Sequence, residues 1–142
     1  MNEIQNTVVE CAERAVVTLM PRTGDKLDYS LGSLLLVDEL LMEAAPHIEA
    51  LPEEQVTGFV QQLGCYVLEV ARRDRGGEYF WDESRQEPVL VVGEPEKHVA
   101  LMVWGKVRER MHAKDEAYIP LHVLAFVEHV KKAPDGDETL FQ

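Results

Sequence analysis

An α+β domain, with a helical layer packed on a small antiparallel sheet of about three strands, is predicted by three features of the sequence. Val56, Phe59, Val60, Leu63, Val67, Val70 and Ala71 recur at steps of three and four, which is one face of a 3.6-residue helix. Beyond that helix, three short runs rich in β-branched and aromatic residues, 78–82, 88–92 and 98–103, are separated by polar connections of hairpin length. Helical periodicity returns on both sides of these runs, so strands and helices are segregated rather than alternating.

The elements follow in order. Residues 2–20 read as a helix whose face carries Ile4, Val8, Cys11, Ala12, Ala15 and Leu19, with Pro21 as its stop. A polar loop containing Gly24 leads to Ser30, an N-cap candidate for a second helix lined by Leu34, Val37, Leu40 and Leu41 and limited by Pro46. Leu35 and Leu36 widen its apolar side, which predicts a central position. The third helix opens with Pro52, Glu53 and Glu54, matching the positive end of the helix dipole, and runs to about residue 73. Arg72, Arg73 and Arg75 complement its negative end, and Gly76-Gly77 supplies the left-handed stop. Glu83-Ser84-Arg85-Gln86 and residues 93–97 form the two hairpin connections, and Pro88 opens its strand where a missing amide donor does little harm. A short basic helix spans 105–112, with Lys106, Arg108 and Arg110 around Val107 and Met111. Pro120 opens the last helix, 121–132, and Pro134-Asp135-Gly136 ends it. This makes one domain, residues 1–136. The acidic tail 137–142 contains Glu-Thr-Leu-Phe-Gln, which resembles the left half of a picornaviral 3C protease site. It is read either as a remnant of an expression tag or as a natural tail, and is kept out of the functional reading.

The chain of 142 residues carries 26 acidic and 14 basic side chains, a formal charge of −12. Phosphate recognition needs a basic face, so nucleic acid is not expected as a partner. A basic protein is the better match. The first residues lack a basic segment followed by an apolar core, and the longest apolar run, 34–37, is far too short to span a bilayer. A cytoplasmic location away from membranes is expected. The two cysteines, Cys11 and Cys65, lie on predicted apolar helix faces, which predicts buried, reduced thiols rather than a disulfide framework.

Catalytic and ligand-binding patterns are weak throughout. His122 and His129 are seven residues apart, about 10 Å along a helix axis, too far for one metal ion. Cys65 sits mid-helix without a local base or Gly-rich elbow. The pairs Asp38-Glu39 and Glu53-Glu54 point in different directions as helix neighbours and preorganise no proton transfer. Gly76-Gly77 lies at a helix end and is no phosphate loop. No metal and no cofactor is expected. Two basic concentrations, Arg72/Arg73/Arg75 and Lys106/Arg108/Arg110, could hold an anion if the fold joins them, or else pair with surplus carboxylates. Tyr79, Phe80 and Trp81, with Trp104, are the stronger lead. Alternation puts Tyr79 and Trp81 on one strand face and Phe80 on the other, with matching burial expected for the first two. One of these faces either joins the core or supplies an interface.

Tyr29-Ser30, the run from Leu63 to Arg73, Gly76-Gly77-Glu78 and Lys106-Val107-Arg108-Glu109-Arg110 resemble a family of small uncharacterised bacterial proteins with a Leu-Gly-x-Tyr helix, a Gly-Gly-Glu-aromatic strand start and a Lys-Val-Arg helix. The likeness spans about residues 28–130. It implies a bacterial α+β domain and carries over no activity or catalytic residue.

The functional expectation is a non-enzymatic protein-binding protein, an immunity- or antitoxin-type inhibitor of a basic toxin domain. Its expected binding residues are Asp38, Glu39, Glu43, Glu53, Glu54, Tyr79 and Trp81. The alternatives are a regulatory or adaptor module that binds a protein or small anion, and an enzyme whose site is assembled from distant residues.

Overall fold

The longest helix of the molecule is its axis. The computed structural model describes residues 2–142, and in it Glu53–Arg75 form this helix, α3, whose residues from Leu63 to Ala71 are all buried. Around α3 lie α1 (Glu3–Thr23), α2 (Ser33–Ala44), α4 (Trp104–Met111) and α5 (Ile119–Lys132), with 3₁₀ turns at Ala45–Ala50 and Asp115–Ala117. The strands are β1 (Glu78–Asp82), β2 (Glu87–Val92), β3 (His98–Leu101) and β4 (Glu138–Phe141). The α+β class is as the sequence predicts.

Pro21 does not stop α1. It sits inside the last turn, and the helix continues to Thr23, whose hydroxyl donates to the Leu19 carbonyl. The ring deprives the Val17 carbonyl of its intrahelical donor, but Val17 is strongly exposed and water can replace it. Gly24, at φ 58°, then closes the helix by donating its N–H to Met20. Ser30 accepts from the Ser33 N–H, as an N-cap should, while the N-cap position itself falls on Gly32, so α2 starts at Ser33.

The sheet has four strands in the order β1-β2-β3-β4, not about three, and it is mixed rather than antiparallel. β1/β2 and β2/β3 are antiparallel hairpins, whereas β4 pairs parallel to β3 after the crossover through α4 and α5. The segment set apart as an acidic tail therefore contributes Glu138–Phe141 to the sheet, and Phe141 packs edge-on against Phe126, with ring centroids 5.9 Å apart.

The register sorts the side chains. Tyr79, Leu90, Val99, Leu101 and Phe141 face the helices, while Phe80, Val89, Val91, Ala100 and Leu140 occupy the other face. Tyr79 and Trp81 share a face as expected, but their burial does not match: Tyr79 is fully buried and Trp81 is 41% exposed. The reason is position. Tyr79 lies opposite fully buried Leu90, whereas Trp81 pairs with Pro88 near the end of the hairpin and lines an open cleft, where it meets Trp104 edge-on at 6.4 Å.

Candidate functional site

The helices cover one face of the sheet. The other face is a trough of about 830 Å³. Val91, Ala100 and Met102 form a floor shielded by its neighbours, at 5%, 4% and 4% exposure. Phe80 on β1 and Leu140 on β4 stand at the two outer strands, each 47% exposed. Asp82, Glu94 and Glu138 line the same trough, and His98 pairs with Glu94. The surface is thus an apolar channel with carboxylates along it. Phe80, Leu140 and these three acids were not among the expected binding residues. Strand alternation placed Phe80 opposite Tyr79, but Leu140 and Glu138 lie on the strand the sequence did not reveal.

Of the expected residues, Asp38 and Tyr79 are withdrawn from any interface. Asp38 is 5% exposed, accepts two hydrogen bonds from the Arg110 guanidinium at 2.9 Å each, and accepts the Ile119 N–H. It fixes α2 to α4 and to the start of α5. An adjacent-acid pair on a helix gave no hint of this, because Asp38 points inward while Glu39 points out. Glu43 is exposed and pairs with Arg22, Glu53 is exposed and pairs with Arg108 at 2.9 Å, and Glu39 and Glu54 are exposed. Glu43 and Glu53 thus engage different elements, α1 and α4.

The hydroxyl of Tyr79 donates to Glu69 at 2.7 Å. Glu69 is a fully buried carboxylate, also bound by Arg72 through two hydrogen bonds of 2.6 and 2.9 Å and by Arg73 at 3.3 Å. Burial pushes the Glu69 carboxyl up, but the hydrogen bonds from Arg72 and Tyr79 outweigh it, and the net shift is downward. Arg73 also lies over the Tyr29 ring, 3.6 Å from its centroid. The arginines at the end of α3 are thus committed to internal partners. Those of α4 are committed as well, Arg108 to Glu53 and Arg110 to Asp38. Arg72 and the contacts of Arg108 lie about 15 residues apart along α3, about 22 Å, so the fold does not merge the two basic groups.

A second, smaller cleft of about 280 Å³ opens between α1, α3 and the β1–β2 hairpin, lined by Ile4, Cys11, Cys65, Trp81, Pro88 and Trp104 among others. Cys65 is buried, as expected, but Cys11 is only half-buried; both are free. Beside this cleft, Glu87 is buried with one carboxyl oxygen unpartnered, and burial raises its carboxyl against a backbone hydrogen bond from Trp104. Among the described residues, no group of three or more His, Cys, Asp or Glu is placed to hold a metal ion, and no helix is long and apolar enough to cross a membrane. No family model, curated protein or solved structure matches the chain.

Proposed function

We propose that this chain is a non-enzymatic protein-binding protein, an inhibitor of the immunity or antitoxin type, and that the open sheet face holds a basic protein partner. The observation that carries this reading is the trough itself. It joins a contiguous apolar floor and two exposed apolar walls to the carboxylates Asp82, Glu94 and Glu138, in a chain of net charge −12. Uncovered apolar surface beside a charged rim is the anatomy of a protein interface. Opposite charge selects a basic partner and speeds its approach. An adaptor role through a small anion finds less support, because Arg72, Arg73, Arg75, Arg108 and Arg110 all have acidic partners.

The test starts with capture of the partner from the native host, followed by binding of the purified pair. Phe80→Asp and Leu140→Asp are expected to weaken the complex at least 10-fold each, since a charge placed on an apolar wall that the partner buries costs more than about 1.4 kcal/mol. Glu39→Lys, remote from the trough on α2, is expected to leave the dissociation rate unchanged. A complex insensitive to both trough variants would refute the surface. Turnover of a small molecule in the trough would refute the binding-protein reading.

A further inference from the structure

We infer that Cys11 and Cys65 are a peroxide-reactive dithiol, with Cys11 as the attacking thiolate, Cys65 as the resolving thiol, and the Trp81/Trp104 cleft as the entry. Two observations meet here. The two cysteines come from α1 and α3, which lie against each other along much of their length, and they line one cleft. Their exposure differs in the sense the reaction requires: Cys11 is half-buried at the cleft and Cys65 is 2% exposed behind it. A pair of this kind, an accessible thiol next to a protected one, is the arrangement in which oxidation stops at a disulfide instead of proceeding to the irreversible acids.

The electrostatics agree with the geometry. The neighbouring Cys65 thiol lowers the Cys11 pKa to about 7; burial opposes this shift, and Arg14, one turn on along α1, adds to it. Cys65 is pushed strongly upward by its interaction with Cys11 and by its burial, so it keeps its proton until it is needed. The other charged groups bearing on the pair are Glu3, which lines the cleft, and Glu69, whose charge acts on Cys65 against ionisation. The Trp104 indole N–H is buried without a formed hydrogen bond, and its positive end counters that effect at the Cys65 sulfur.

The chemistry balances with a hydroperoxide as oxidant. The Cys11 thiolate attacks the distal oxygen; the S–O bond forms, the O–O bond breaks, and the alkoxide or hydroxide leaves and takes a proton from water. Cys11 is then a sulfenic acid. The Cys65 sulfur attacks it, the S–S bond forms, the S–O bond breaks, and the departing hydroxide takes the Cys65 proton to leave as water. Two electrons pass from the two sulfurs to the peroxide.

The probe is hydrogen peroxide on the reduced full-length chain. Loss of both titratable thiols is expected, with a mass loss of two hydrogens, a Cys11–Cys65 cross-linked peptide, and recovery on addition of dithiothreitol. In Cys65→Ser, Cys11 is expected to accumulate as a sulfenic acid trapped by dimedone. In Cys11→Ser, Cys65 is expected to resist both peroxide and iodoacetamide until the protein is unfolded. Alkylation of wild-type Cys11 by iodoacetamide is expected to reach half its maximal rate at a pH near 7. Oxidation of wild type that yields sulfinic acid or intermolecular dimers instead of the internal disulfide would overturn the inference. So would equal peroxide sensitivity of Cys65 in Cys11→Ser and in wild type. The wild-type mass and peptide results stand even if one variant fails to fold.

Discussion

At the scale of single residues, Gly64 shows how one missing atom makes room for a feature. A Cβ there would lie 2.3 Å from Cδ1 of the Trp104 indole, which occupies the space above the helix backbone. Gly64→Ala is therefore expected to destabilise the fold by about 1–3 kcal/mol through overpacking, and to shift tryptophan emission, both readable in one denaturant titration. The sequence presents this glycine only as a residue of low helix propensity inside a strong helix; its partner lies 40 positions away and cannot be inferred from local pattern. Glu69 is a comparable case. Helical periodicity places it off the apolar stripe of α3, yet the whole run from Leu63 to Ala71 is buried, and nothing local reveals that Tyr79 completes its hydrogen bonding. Glu69→Gln leaves Arg72 short of its counter-charge and is expected to cost about 3 kcal/mol, toward the low end for a broken buried pair because Arg72 retains some solvent. The carboxyl has a folded pKa below its unfolded one. Its stabilisation is thus fully present above the ordinary glutamate value and is lost as pH falls through the lower, folded value. Acid unfolding of Glu69→Gln should lack that part of the pH slope.

Among the elements, the helices and hairpins were legible in the sequence because each rests on local signals. The periodic face of α3, its acidic start and its Gly76-Gly77 end are contiguous features, and the observed limits Glu53–Arg75 follow them closely. β4 was not legible. A four-residue strand that pairs parallel with a partner 40 residues earlier has no turn to announce it, and its acidic surroundings resemble a solvated tail. The open sheet face was half legible for the same reason, since one of its two walls stands on that strand. Its role in the fold can be measured. Phe141 is half-buried between Phe126 and His129, with centroids 5.9 and 5.5 Å away, and Phe141→Ala is expected to cost about 1–3 kcal/mol in thermal or denaturant unfolding, below the range for a fully enclosed phenylalanine. If Phe141→Ala unfolds like wild type, β4 contributes nothing to stability.

On the scale of the whole molecule, charge is the dominant property. Twelve net negative charges place a field around the protein that acts before contact and is screened within about 8 Å at physiological salt. Association with a basic partner is expected to slow steeply as salt rises, while dissociation changes little. Asp82→Lys combined with Glu138→Lys should flatten that salt dependence. Stopped-flow or surface-binding rates across a salt series would decide it, and a rate indifferent to salt would remove the electrostatic argument. Of the seven residues expected from sequence to bind, two are structural: Asp38 holds Arg110, and Tyr79 holds Glu69. Residue type alone cannot separate a carboxylate that greets a partner from one that fastens two helices.

The parallel strand at the far side of the sheet also has a consequence in time. During synthesis β3 leaves the ribosome ahead of β4, which lies 40 positions later in the chain. During that interval the outer side of β3 carries a row of unpaired amides and carbonyls, the template on which a second nascent chain can add a strand. The delay between release of β3 and docking of β4 therefore sets how long each molecule spends in its most adhesive form. Lengthening that delay should raise the aggregated fraction without altering the native state of the molecules that escape.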